Sequence, residues 1–158
     1  MKKMKNWKTF CFWIALSEAV GIMAGILTRK DVQIYSSEII KPLLSPPPVL
    51  FPIVWTVLYA LMGYGAAKIF ISPASKERTR ALWLFVSQLF FNFGWCFIFF
   101  SLQRFGVAFL WLLALITAVV GMIFVFRKID KFAAYTQIPY LLWLLFAAYL
   151  NFSVWSLN

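Results

Sequence analysis

Apolar residues in this chain run in long blocks, and polar residues collect in short gaps between them. Five apolar stretches, approximately 7–27, 49–71, 81–102, 106–126 and 133–157, are separated by connections at 28–48, 72–80, 103–105 and 127–132. A helix needs about 20 mainly apolar residues to cross the hydrocarbon core, and lipid obliges each span to satisfy its backbone internally. The pattern predicts an all-α integral membrane protein, one domain over 1–158 built as a bundle of five transmembrane helices. The connections leave no room for a soluble domain.

The gap before the second span is the most unusual. Lys41-Pro42 leads into Pro46-Pro47-Pro48, followed by Phe51-Pro52, Trp55 and Tyr59. Proline fixes φ and lacks an amide hydrogen, so a triple proline cannot lie inside a helix, although Pro52 suits a first turn. The segment reads as a rigid, non-helical cap set directly on a membrane helix.

Composition agrees with the pattern. The chain is 63% hydrophobic with a mean hydropathy of +0.84, against about 45–50% apolar residues in soluble domains. The net charge of +10 suggests nucleic acid until the charges are placed. Eleven basic residues (Lys2, Lys3, Lys5, Lys8, Lys68, Lys76, Arg78, Arg80, Arg127, Lys128 and Lys131) fall on one side of the spans. Four, Arg29, Lys30, Lys41 and Arg104, fall on the other. That asymmetry is the positive-inside pattern. It predicts a cytoplasmic N-terminus, an external C-terminus and an external proline segment, and it removes the case for a nucleic-acid partner. With no transit peptide recognisable, it points to a bacterial plasma membrane, with the mitochondrial outer membrane as the alternative. The first span is too long for a signal peptide, carries Glu18, and lacks a small-x-small cleavage site, so it reads as retained. Cys11 and Cys96 lie within spans without a C-x-x-C, and histidine is absent, which leaves no basis for a metal centre.

Residues three and four apart share a helix face. Phe51, Trp55, Tyr59 and Met62 follow that spacing on the second span, and Gln88, Asn92, Trp95 and Phe99 follow it on the third. Tyr140, Trp143, Ala147 and Asn151 do so on the fifth, with Leu150 alongside. Aromatic residues also form interfacial belts, and amides hold helices together. Mid-span depth and the coincidence of three such stripes favour instead an aromatic-walled pocket with a few polar anchors. The fourth span, with only Thr117 and small residues, reads as scaffold or lipid-facing surface. Glu18 is the one acid well inside a span. It reads as a protonated group bonded to Gln88 or Asn92, and its face carries Gly21 and Gly25 as a G-x-x-x-G for close helix approach.

Taken together, these blocks resemble the TspO/MBR family, the tryptophan-rich sensory proteins related to the mitochondrial translocator protein. The likeness rests on Lys41-Pro42-Leu43-Leu44-Ser45-Pro46-Pro47 with Phe51-Pro52-Ile53-Val54-Trp55, on Asn92-Phe93-Gly94-Trp95, and on Pro139-Tyr140-Leu141-Leu142-Trp143 with Phe146-Ala147-Ala148-Tyr149-Leu150-Asn151. The resemblance implies a five-helix bundle, commonly a homodimer, with a pocket closed by the first loop. It also implies porphyrin-type or haem-like tetrapyrrole ligands, sterols in some members, and no required cofactor. The family's pocket positions match at Trp55, Tyr59, Asn92, Trp95, Trp143, Ala147 and Leu150, and the stripes and the loop add Phe51, Phe99, Tyr35, Pro46 and Pro47. The loop departs from the family where Leu44 replaces a tryptophan and Tyr35-Ser36 replaces Trp-Tyr. The leading expectation is a membrane sensory or binding protein for a flat, apolar ligand. Two alternatives stand: light-dependent porphyrin breakdown, with Trp55 and Trp143 as photochemical residues, and transport of tetrapyrroles or sterols. No acid–base pair or nucleophile–base arrangement supports ordinary catalysis.

Overall fold

The computed structural model describes residues 2–158, with side chains from Asn6 onward, so the side chains of Lys2, Lys3 and Lys5 lie outside the described residues. In chain order the helices are α1 (Lys2–Leu27), α2 (Arg29–Glu38), α3 (Leu50–Ile71), α4 (Lys76–Cys96), α5 (Phe105–Ile129), α6 (Lys131–Tyr135) and α7 (Ile138–Leu157). A π-helical turn at Phe97–Ser101 continues α4. Five segments are long and apolar enough to span a bilayer: Asn6–Leu27, Leu50–Ile71, Lys76–Ser101, Phe105–Ile129 and Lys131–Leu157. The described residues contain no strand.

Two features differ from the sequence expectation. The first connection contains a helix of its own, α2. Asp31, Tyr35 and Ile39 recur every four residues, and all three are half-buried against the bundle. The fifth span is broken between Tyr135 and Ile138. Pro139 stands in the first turn of α7 and cannot donate to a preceding turn, so the chain restarts there.

The fourth span is scaffold. On α5 the buried residues are Phe105, Ala108, Leu112, Leu115, Val119, Met122 and Phe126. Their alternating three- and four-residue spacing is a heptad seam. That seam is enclosed by α4 on one side and α7 on the other. Leu112, Leu115, Val119 and Met122 have no solvent contact at all, and they form the apolar core with Phe85 of α4 and Leu144 of α7.

α1 lies against α3. The contact turns on Gly63 of α3, where an added Cβ would stand 2.5 Å from the Ile14 Cα and 2.5 Å from the Trp13 carbonyl oxygen. Only a residue without Cβ permits that separation. Of the two glycines expected to form this contact, Gly21 does meet α3, against the ring of Tyr59, but Gly25 faces open space. The close approach therefore runs through Gly21 and Gly63, from both helices, rather than through a Gly21–Gly25 pair.

At the bundle end where α3 finishes and α4 begins, the chain is tied by polar contacts. Ser75 caps α4, accepting from the Arg78 amide at 3.0 Å, and the Arg78 guanidinium donates to the Ser72 carbonyl at 2.9 Å. Lys68 pairs with Asp130 at 3.0 Å, and Asp130 also caps α6 by accepting from the Ala133 amide at 2.9 Å. Burial alone would raise the Asp130 pKa. The Ala133 amide and Lys68 outweigh it, and the carboxyl sits below its ordinary range. Lys76, Arg78, Arg80, Arg127, Lys128 and Lys131 gather at this same end.

Gln88 is fully buried on α4, and neither its Nε2 nor its Oε1 has a hydrogen-bonding partner among the described residues. An unpaired buried amide costs about 1–3 kcal/mol. Gln88→Leu, close in volume and without the polar atoms, is expected to stabilise the bundle by roughly 1 kcal/mol. Thermal denaturation in detergent or bicelles measures this. A clear loss of stability would mean that the amide is bonded after all.

Candidate aromatic site beneath the first loop

Asn92 is the centre of the site. It is 1% exposed, and α4 aims it between α3 and α7. The Tyr59 hydroxyl of α3 donates to the Asn92 Oδ1 at 2.5 Å. The Asn92 Nδ2 in turn donates to the Tyr140 hydroxyl of α7 at 2.9 Å. Three spans are thereby joined through one side chain that is almost fully buried. Such interhelical bonds contribute about 0.6–1.7 kcal/mol each in membrane proteins.

The geometry corrects the expectation for Glu18. Asn92 has its oxygen taken by Tyr59 and its amide donating to Tyr140, while Gln88 is unpaired. Neither bonds Glu18, which is half-buried on α1.

Aromatic rings are layered on this polar chain. Trp55 lies 5.4 Å from Tyr59, centroid to centroid, and 6.2 Å from Tyr140. One turn nearer the loop, Phe51 of α3 meets Trp143 of α7 edge-on at 5.9 Å, and Trp143 meets Phe146 at 5.6 Å. Ala147 and Leu150 continue the Trp143 face of α7, both half-buried. The structure places Phe51, Trp55, Tyr59, Asn92 and Trp143 on neighbouring turns of α3, α4 and α7, and Tyr140 joins them. Tyr140 belongs to the fifth-span stripe but was not among the candidate ligand residues. Its place one turn before Trp143 on the same face was the signal.

Trp95 and Phe99 form a second group. They stack at 5.1 Å, and Tyr35 of α2 caps them, 5.3 Å from Phe99 and 5.4 Å from Phe100. The π-helical turn lets the adjacent Phe99 and Phe100 both reach Tyr35, because its wider winding shifts the face that each ring occupies. The Trp95 indole N–H donates to the Asn151 Oδ1 at 3.0 Å, and the Asn151 Nδ2 donates to the Phe105 carbonyl at 2.8 Å. The polar handle of Trp95 is therefore used within the bundle. Burial raises the Tyr35 pKa above its ordinary value, so the phenol stays protonated through the physiological range.

The first loop has two unlike halves. α2 is fixed at three points: Ser101 donates to Asp31, Tyr35 packs on Phe99 and Phe100, and Ile40 exchanges two bonds with the Asn158 side chain. In that exchange the Ile40 amide donates at 3.1 Å and the Asn158 Nδ2 donates to the Ile40 carbonyl at 3.0 Å. The proline half is non-helical, held by turns from Ser45 to Pro42 and from Leu50 to Pro47. Pro46 is half-buried and Pro47 exposed, while Leu44 is 64% exposed.

Two surface concavities lie apart from the aromatic site. One is lined by Arg78, Thr79, Leu82, Trp83 and Val86, the other by residues 103–107 with Trp155 and Asn158. At the site itself the rings close on one another.

Five apolar spans joined by short connections define a polytopic helical membrane protein. The TspO/MBR family model matches residues 13–156, and the chain belongs to that family. It is 34% identical to the tryptophan-rich protein TspO of Chlorobaculum tepidum over 95% of this chain and 96% of that one. It is 29% identical to the tryptophan-rich sensory protein of Cereibacter sphaeroides over 97% of this chain and 93% of that one. The translocator protein of Homo sapiens is 32% identical over 75% of this chain and 71% of its own length.

Proposed function

We propose that this membrane protein binds a flat, apolar ligand of the porphyrin-type tetrapyrrole class between α3, α4 and α7, beneath the first loop. The observation that carries this reading is the Tyr59–Asn92–Tyr140 chain, with Trp55 against both tyrosines and the Phe51–Trp143 pair one turn nearer the loop. Broad rings offer stacking surface, and a single buried amide offers orientation without charge. A ligand enters by parting Phe51 from Trp143, which meet edge-on at the loop end of α3. Tyr35, Pro46 and Pro47 cover the opening, while Trp95, Phe99, Ala147 and Leu150 form its wall on the loop side of Asn92. The basic end of the bundle faces the cytoplasm of a bacterial plasma membrane, which puts the loop outside. The working unit is a homodimer, as the family resemblance implies.

Titration of protoporphyrin into the purified protein, followed by tryptophan quenching, tests the ligand class. Saturable quenching is expected, and it is expected to be lost in the Trp143→Ala/Asn92→Ala double variant. Non-saturable quenching, or quenching unchanged in a correctly folded double variant, overturns the reading.

A further inference from the structure

The two halves of the first loop differ in charge as sharply as in shape. From Arg29 to Lys41 the sequence carries Arg29, Lys30, Asp31, Glu38 and Lys41, and this half is the one fixed to the bundle. From Pro42 onward no charged residue occurs until Lys68, in the last turn of α3. The apolar character of the span therefore begins before the helix does.

Within this uncharged stretch, Leu43 and Leu44 form the tip of a turn. Leu43 is 105% exposed and Leu44 64%. No apolar cluster of the bundle includes either residue. Val49 is 70% exposed at the helix junction, and Leu50, Ile53 and Val57 continue as exposed apolar residues on α3. On a transmembrane helix that last group faces the bilayer plane, against lipid or a second copy of the chain. The apolar surface of the loop is thus continuous with surface that lies in the bilayer. Pro46-Pro47-Pro48 makes the connection stiff, and α2 with the Ile40–Asn158 pair fixes its other end.

We infer that the Leu43–Leu44 turn is a membrane-dipping element, seated in the interfacial region of the leaflet next to it, with phospholipid as its partner. Interfacial segments bury an apolar face, leucine included, at the headgroup–acyl boundary and keep their charges on the water side. Lys41 marks the aqueous limit of the segment, its ammonium turned back onto the Ser36 carbonyl at 2.7 Å. The arrangement anchors the loop at both ends, one on protein and one on lipid. It does not depend on which ligand the bundle binds.

Site-directed spin labelling in phospholipid nanodiscs tests this. Leu43→Cys carries the label, and Ser37→Cys on the charged half serves as the aqueous reference. Both positions are exposed, so neither label disturbs packing, and unlabelled Cys11 and Cys96 are controlled with the parent chain. The ratio of collisions with oxygen to collisions with a water-soluble nickel chelate is expected to be several-fold higher at position 43 than at 37. Equal ratios at the two positions overturn the inference by placing the turn in water. Dipolar broadening between labels at 43, absent on dilution with unlabelled protein, also overturns it, since a second copy of the chain would then cover the leucines.

Discussion

Gly63→Ala is expected to force α1 away from α3 and to lower the stability of the bundle by about 3 kcal/mol, at the upper end of ordinary overpacking costs. The atoms that a new methyl group would strike are backbone, the Ile14 Cα and the Trp13 carbonyl oxygen, both at 2.5 Å. Backbone cannot rotate out of the way as a side chain can. Relief therefore requires the two helices to separate, which loosens Trp13 from Phe85, its edge-on partner at 5.7 Å. Gly25→Ala supplies the contrast, because nothing lies within 4 Å of its added Cβ. There the higher helix propensity of alanine acts alone, and a gain of roughly 0.5–1 kcal/mol is expected. Thermal unfolding in detergent, followed by thiol labelling of Cys96, separates the two. Equal behaviour of both variants would show that α1 is not held by this contact.

The second large effect is expected at Asn92. Asn92→Ala removes both interhelical bonds at once and leaves the Tyr59 and Tyr140 hydroxyls unpaired inside the membrane. A loss of roughly 1–3 kcal/mol follows from the two bonds together. Trp95→Phe, which removes only the bond to Asn151, is expected to cost less. A double-mutant cycle with Tyr59→Phe identifies the cause. If the bond at 2.5 Å contributes as the geometry indicates, the double variant is only slightly less stable than Asn92→Ala alone, with a coupling of about 1 kcal/mol. Strict additivity would mean that Asn92 acts through packing rather than through Tyr59.

How much of this was legible beforehand follows from which solvent each residue meets. The five spans could be read because lipid imposes a length and an apolar composition that no tertiary contact can override. α2 could not be read from hydropathy, since RKDVQIYSSE is short and charged. Its helix depends on Tyr35 finding Phe99 and Phe100, more than sixty residues away in sequence, although the four-residue spacing of Asp31, Tyr35 and Ile39 was visible. The convergence of Trp55, Tyr59, Asn92 and Trp143 was legible from helical spacing. The use of the polar atoms was not. Spacing shows that Asn92 and Trp95 face inward, but whether an amide meets a ligand, a tyrosine or an acid depends on helix rotation and distance. The expected bond from Glu18 to Gln88 or Asn92 failed for that reason. Gln88 was misjudged likewise, because nothing in a sequence reveals that an inward amide lacks a partner.

The shared side chain of Asn92 also has a bearing on how the protein is made. Synthesis delivers α3 before α4 and α7 last, so Tyr59 is at hand when Asn92 enters the membrane and Tyr140 is not. Until the final span arrives, the nascent bundle holds a half-bonded amide in hydrocarbon. The last helix is then drawn to a waiting donor as well as to an apolar seam, and a chain that stalls before Tyr140 carries a built-in mark of its incompleteness.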